Sequence, residues 1–212
     1  ARVLDGEYTT NSETDELRWM TIDEACTLLS YDVDTQVLAK AKKRLRLAPT
    51  TRVLYVRHAR AHQRRSWEGD DDLRPLDKKG RRQAEMLVPM LTPFHPTAIY
   101  SAPPQRCQHT AAPLADELGM DIAVNKAFGD DVFAESPEDA RAAFQRVVDG
   151  GGVPVIVSQG LTIPGIIESF APKFITTPID ELKFKKASVW VLSFNDGELT
   201  GADYLASPLP VR

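Results

Sequence analysis

The sequence predicts an α/β fold, a mostly parallel sheet with helices on both faces, preceded by a smaller α+β segment. Three observations carry this reading. From residue 51 onward, short runs of β-branched and aromatic residues alternate with longer stretches of helical period. The runs Val53-Leu-Tyr-Val56 and Val153-Pro-Val-Ile-Val157 are apolar throughout, as parallel strands buried on both faces are. Each of these runs stops at a polar loop, and outside the carboxyl ends of its strands is where an open α/β sheet gathers its chemistry.

Taken in order, strands are expected near Val53–Val56, Ala98–Ser101, Asp121–Val124, Val153–Ser158 and Ser188–Phe194. Helices are expected near Lys78–Leu91, Pro104–Leu118, Pro137–Asp149 and Leu161–Phe170. The first helix carries Ala84, Leu87, Val88 and Leu91 on one stripe, which leaves Arg81 and Arg82 to solvent. Gly119 stops the second, and Asp149-Gly-Gly-Gly152 stops the third and turns the chain into the late strand. His95, in Pro93-Phe-His-Pro96, belongs to a structural turn.

Residues 1–47 read as a separate piece, 48–51 as a linker and 52–212 as the α/β domain. The first piece predicts a strand at Ala1–Leu4, a polar turn from Gly6 to Thr14, a strand at Leu17–Met20 and a short helix at Ile22–Leu29. An amphipathic helix follows, with Val37, Leu38, Ala41 and Leu45 on one face. A lone two-stranded piece is marginally stable in water, so these apolar residues call for a partner surface.

With 212 residues, 42% of them hydrophobic, the chain is long enough for one domain of about 150 residues plus an appendage. A formal charge of -4 points away from duplex nucleic acid and anionic membranes, so an anion is expected to bind only in a local site. Cys26 and Cys107 have no metal-ligand spacing and suit free thiols in a reducing compartment. No apolar run approaches the ~20 residues that span a bilayer, and no signal peptide is visible, so a cytoplasmic location is the simplest expectation.

The chemistry concentrates at three strand ends. Arg57-His58-Ala59 follows the first strand, where a lone histidine either caps the strand or is presented to a ligand. Arg106 opens the helix after Ala98–Ser101, where a fixed cation joins the backbone donors of a helix start and suits a phosphate. Gln159-Gly160 follows the late strand. A neutral imidazole is a competent nucleophile towards phosphorus, and Arg57 and Arg106 are suited to hold two phosphoryl oxygens. Glu135 is the candidate acid for the leaving oxygen, with Asp130 and Asp131 as competitors; any of the three also suits a helix-capping role. Arg65, Trp67 and Arg74, in the loop after His58, could touch a second phosphate or a base, or simply pack on the surface, and His62 and His109 are loop and helix-surface positions, either of which could border the pocket.

Arg57-His-Ala-Arg-Ala61, Asp71-Asp-Leu-Arg-Pro-Leu-Asp77, Gly80-Arg-Arg-Gln-Ala84 and Ser101-Ala-Pro-x-x-Arg106-x-x-x-Thr-Ala111 together resemble the histidine phosphatase superfamily, in the compact branch of the SixA-like phosphohistidine phosphatases. The resemblance runs from about Thr51 to Leu205. It implies a phosphohistidine intermediate on His58, phosphate held by Arg57 and Arg106, and no cofactor. It also implies a second histidine after the late strand, where this chain has Gln159 followed by the expected Gly160. Glutamine donates hydrogen bonds without charge, so stabilisation of the transition state should be weaker here or redistributed onto the arginines.

Glu13-Thr-Asp-Glu-Leu-Arg-Trp-Met-Thr-Ile-Asp-Glu-Ala25 with Leu28-Leu-Ser-Tyr-Asp32 resembles the closing third of a Nudix domain, but the Nudix box and its metal-binding carboxylates are absent from the sequence. The resemblance therefore implies a piece of a two-domain MutT-type enzyme acting on 8-oxo-GTP, 8-oxo-dGTP and dinucleoside polyphosphates. Mg and the remaining Nudix strands would come from a separate N-terminal fragment. Two functions from different classes stand: a phosphohydrolase of a phosphorylated small molecule or nucleotide, and a phosphate-binding or assembly module serving a Nudix site elsewhere.

Overall fold

A computed structural model describes residues 9–14, 16–45, 49–170 and 183–208. The chain divides into two compact units, Ala1–Ala48 and Pro49–Arg212.

In the first unit, helix α1 (Ile22–Leu28) starts at a capping box: the Thr21 hydroxyl accepts from the Glu24 N–H, and the Glu24 carboxylate accepts from the Thr21 N–H at 2.8 Å. Helix α2 (Asp32–Leu45) follows, and Lys42 on it pairs with Asp23 on α1. The expected strand at Leu17–Met20 does not form: these residues have no regular structure, and Trp19 is 81% exposed. No described segment of the unit offers them a ladder partner, and an unpaired strand does not hold itself. The strand expected at Ala1–Leu4 lies outside the described residues.

The second unit is built on six strands in the order β3-β2-β4-β1-β5-β6. Strands β1 (Thr51–Arg57), β2 (Ala98–Ser101), β3 (Ile122–Val124) and β4 (Pro154–Ser158) run parallel, joined through helices α3 (Lys78–Leu91), α4 (Gln105–Leu118), α5 (Asp130–Glu135) and α6 (Pro137–Asp149). Helix α7 (Thr162–Phe170) leaves β4. Successive residues of a strand point to opposite faces, so the unbroken burial of Val53–Val56 and of β4 means that both faces of the sheet centre are covered. Tyr55, Phe144, Phe170 and Phe194 form a ring cluster in this core, with neighbouring centroids 5.2–6.2 Å apart.

The sheet is mixed: three of its five strand pairings are parallel, as the mostly parallel expectation has it, and two at one edge are antiparallel. Strand β5 (Val189–Asn195) lies antiparallel to β1, and β6 (Glu198–Leu205), not foreseen from the sequence, lies antiparallel to β5. The Ala187 N–H donates to the Arg57 carbonyl at the carboxyl end of β1, so β5 starts at that end and must run back. Asp196 (φ 50°) and Gly197 (φ 80°) then make the two-residue turn that an Asp-Gly pair favours, and β6 returns despite its poor strand formers Gly201 and Asp203. Among the described residues no helix is long and apolar enough to cross a membrane.

Candidate active site

Strand β1 ends by delivering Arg57 and His58 to the carboxyl edge of the sheet. The His58 N–H extends the β1–β4 ladder by donating to the Ser158 carbonyl at 3.0 Å. The Ala59 N–H then donates to Thr110 Oγ1 at 2.9 Å, and that hydroxyl donates to the Arg106 carbonyl at 2.7 Å, which ties the loop to the first turns of α4. At Gly80 a Cβ would lie 1.7 Å from the Arg60 carbonyl oxygen, so only glycine lets α3 pack this closely on the backbone that leaves His58.

His58 is 3% exposed. Its Nδ1 lies 2.8 Å from the Ala59 carbonyl oxygen, which can only accept, so Nδ1 carries the proton and Nε2 holds the lone pair. Nε2 faces the Lys186 ammonium at 2.7 Å. Burial, then the charge of Lys186, push the imidazole pKa well below its ordinary value; Arg106 and Arg57 add to this and the Ala59 carbonyl opposes it. His58 is therefore neutral near pH 7, the form in which an imidazole is a nucleophile.

Three cations surround this ring. Arg57 donates from Nη1 to the Phe184 carbonyl and lies over the Phe184 ring at 5.3 Å. Its Nε is buried without a hydrogen-bond partner among the described residues, a costly state for a guanidinium donor unless a ligand accepts from it. Arg106, 3% exposed, donates from Nη1 to the Asp71 carbonyl at 2.6 Å and pairs through Nη2 with the Asp71 carboxylate at 3.2 Å. Lys186 has its pKa lowered to about 7 by burial and then by the charges of Arg57 and Arg106.

The structure brings Arg57, His58, Arg106, Gln159 and Gly160 to one end of the sheet. Gln159 Oε1 accepts from the Asp130 N–H at 3.0 Å, which fixes the amide orientation. Gly160 sits against Arg57, where a Cβ would lie 2.7 Å from Nη2. Of the other expected residues, Arg65 and Glu135 have no hydrogen bond or ion pair to this group among the described residues. Arg65 is exposed and donates to Gln63 at 2.8 Å. Glu135 is exposed in the last turn of α5. Asp130 is a cap after all, but of α7: its Oδ1 accepts from the N–H groups of Leu161 and Thr162 and from the Thr162 hydroxyl. Ser136 caps α6 instead. Asp131 is exposed and acts electrostatically on Asp72, which also feels Arg106.

Two residues went unassigned by sequence reasoning. Asp71 pairs with Arg64, Arg74 and Arg106, and the Arg74 hydrogen bond, followed by that of Arg64 and the charge of Arg106, holds its carboxyl well below the usual carboxylate range. Its signal was the Asp71-x-x-Arg74 spacing, matched by the Arg74–Asp71 pair at 2.8 Å. Lys186 gave no signal, since Lys183-Phe-Lys-Lys186 reads as a solvated charge run. Among the described residues no three His, Cys, Asp or Glu side chains gather to hold a metal ion. The Mg expected for Nudix chemistry has no fitting donor set among them.

A neutral, lone-pair-bearing histidine beside Arg57, Arg106 and Lys186 is chemically suited to an anionic group. Residues 53–132, within the second unit, match the histidine phosphatase superfamily (branch 1). Over 208 residues the chain is 40% identical to the 8-oxo-(d)GTP phosphatase of Mycolicibacterium smegmatis; the match takes in 98% of this chain, which spans 64% of that relative's length. Two solved structures share the fold. The protein histidine phosphatase SixA complexed with tungstate has a TM-score of 0.61 at 17% identity, over 74% of this chain and 97% of that one. The phosphoserine phosphatase of Entamoeba histolytica in complex with 3-phosphoglyceric acid has a TM-score of 0.57 at 17% identity, over 75% of this chain and 100% of that one.

Proposed function

We propose that the second unit is a phosphohydrolase that works through a phosphohistidine on His58. The observation that carries the reading is the His58 environment: Nδ1 is committed to a carbonyl, and Nε2 is the lone-pair nitrogen amid Arg57, Arg106 and Lys186. The Nε2 electron pair forms an N–P bond as the P–O bond to the leaving group breaks, with its electron pair leaving on oxygen. Arg57, through its unpartnered Nε, and Arg106 compensate the charge of the transferring group, and Gln159 donates from its amide nitrogen. Glu135 supplies the proton to the leaving oxygen, with Asp131 its competitor on α5. Water then attacks phosphorus, the pair of the N–P bond returns to Nε2, and the same carboxylate accepts the water's proton.

The substrate we assign is a nucleotide, 8-oxo-GTP, 8-oxo-dGTP or a dinucleoside polyphosphate. The identity shared with the 8-oxo-(d)GTP phosphatase supports this, as does the alignment's reach into the first unit. The first unit is read as the end of a Nudix domain of the MutT type, completed together with its Mg by the rest of a longer protein or by a separate fragment. Its exposed Leu17, Trp19 and Tyr31 suit such a covering surface. Denaturing electrophoresis of the purified particle tests this, and a well-folded single species of this chain alone, stable without a second polypeptide, refutes it.

Gln159 at the second-histidine position favours one other reading, a module that binds phosphate without turning it over. Alkaline detergent-quench trapping of a base-stable, acid-labile phosphoprotein decides. Labelling that His58→Ala abolishes is the expected result, and phosphate binding without any labelling establishes the module instead.

A further inference from the structure

We propose that Lys186 is a further catalytic residue of this reaction: its ammonium covers the His58 Nε2 lone pair in the free enzyme and transfers to a phosphoryl oxygen as the N–P bond forms. The inference rests on the phosphohistidine reading of the same site. Its ground is a contact between the reacting atom and a cation. Lys186 Nζ lies 2.7 Å from His58 Nε2, and because the Nδ1 proton is committed to Ala59, Nε2 accepts and the ammonium donates.

That hydrogen bond cannot outlast the chemistry. Once Nε2 gives its electron pair to phosphorus it has nothing left to accept with, while the phosphoryl oxygens arrive one bond beyond it. The ammonium is already at that place, and a charge-assisted hydrogen bond to a phosphoryl oxygen replaces a weaker one to imidazole. The gain therefore appears as the N–P bond forms and not before, which is the condition for an interaction to speed the step. The charge that Gln159 does not bring to this end of the sheet is brought by Lys186, from the turn that precedes β5.

The backbone holds the lysine in place. Ala187 has φ 58°, and its N–H donates to the Arg57 carbonyl at 3.0 Å, so the residue following Lys186 is pinned to the end of β1. The charged and titratable groups facing Lys186 are Arg57 and His58 from the β1 end, Arg106 and Cys107 from α4, and Arg74 from the loop before α3. The Cys107 thiol is pushed up to about 12 by burial and stays neutral, so every charge among them is positive. Burial first, and then the charges of Arg57 and Arg106, hold the Lys186 pKa at about 7 in the free protein. The required form is the protonated one, so activity is full below that value and falls as pH rises through it.

The test uses the whole chain with para-nitrophenyl phosphate in EDTA across mildly acidic to mildly alkaline pH, and vanadate binding by calorimetry. Lys186→Met is expected to lower kcat about 100-fold, to erase the alkaline limb of kcat/KM, and to weaken vanadate binding about 30-fold. Lys186→Arg, whose guanidinium stays charged, is expected to recover at least a tenth of the activity and to move the limb to higher pH. A merely structural lysine would shift the melting temperature without moving the limb. A Lys186→Met protein that keeps the limb and the wild-type vanadate affinity overturns the proposal. Wild-type turnover in His58→Ala overturns the phosphohistidine reading instead, and the two failures are thereby told apart.

Discussion

Placing a methyl at residue 160 measures how much of the reaction depends on where the Arg57 guanidinium sits. A Cβ there lies 2.7 Å from Nη2, 3.2 Å from Cζ and 3.4 Å from Nε. Relieving the shortest contact to 3.4 Å moves Nη2 by about 0.7 Å. The guanidinium cannot slide freely, because Nη1 is bonded to the Phe184 carbonyl and the group lies over the Phe184 ring. A displacement approaching 1 Å in a group that positions the reacting phosphoryl costs up to ~100-fold. Gly160→Ala is therefore expected to lower kcat/KM about 30- to 100-fold, roughly 2–2.7 kcal/mol at 1.36 kcal/mol per tenfold. Gly160 is only half-buried and its φ lies outside the left-handed region, so folding stability should change by less than about 0.5 kcal/mol. Steady-state kinetics beside a thermal melt reads both quantities. A kcat/KM within about threefold of wild type, with the melt unchanged, would show that the Arg57 position does not limit the reaction.

Four further outcomes are expected. His58→Ala should abolish phosphatase activity measured in EDTA, and circular dichroism should show a folded protein, because the buried His58 ring faces Lys186 and the Ala59 carbonyl and is not part of the apolar core. Gln159→His should raise kcat less than twofold in the wild type but about fivefold in Lys186→Met, since a charge-assisted bond exceeds a neutral one by ~1 kcal/mol; a fivefold gain in the wild type would mean that no cation fills that role. Asp71→Asn should destabilise the fold by roughly 1–2 kcal/mol at neutral pH, less than a buried pair would because the carboxylate is partly exposed. Because the folded-state pKa of Asp71 is depressed, its contribution is full above the unfolded value near 3.8 and is lost as pH falls below it, so urea melts of the two proteins should converge in acid. Gly165→Ala, whose Cβ would lie 2.0 Å from the Phe133 ring, should cost about 1–3 kcal/mol by prising α5 from α7, readable as a lowered urea midpoint.

The parallel part of the sheet was legible because its strands are apolar on both faces and its helices carry their own stops. Lys78–Leu91 and Pro137–Asp149 form with the expected bounds, Asp77 and Ser136 capping them. The C-terminal hairpin was not, because Glu198–Leu205 has little strand propensity and forms by pairing with β5; only the Asp196-Gly197 turn announces it. Helix α5 was hidden in the same way: six residues are too few to show a period. In the site, His58, Arg57 and Arg106 stand at strand ends or in a helix's first turn, where local sequence betrays them. Lys186 reaches His58 from 128 positions away, and a contact of that separation leaves no trace in local composition.

That separation also sets when the site comes into being. A chain still leaving the ribosome can assemble β1 to β4 before the segment 183–205 has emerged, since those strands pair among themselves. At that stage Arg57 has no Phe184 carbonyl to hold it, and His58 Nε2 has no ammonium in front of it. Nascent chains halted before Phe184 should accordingly be protease-resistant in their parallel core yet catalytically silent, with competence arriving only when the last hairpin closes on the edge of β1.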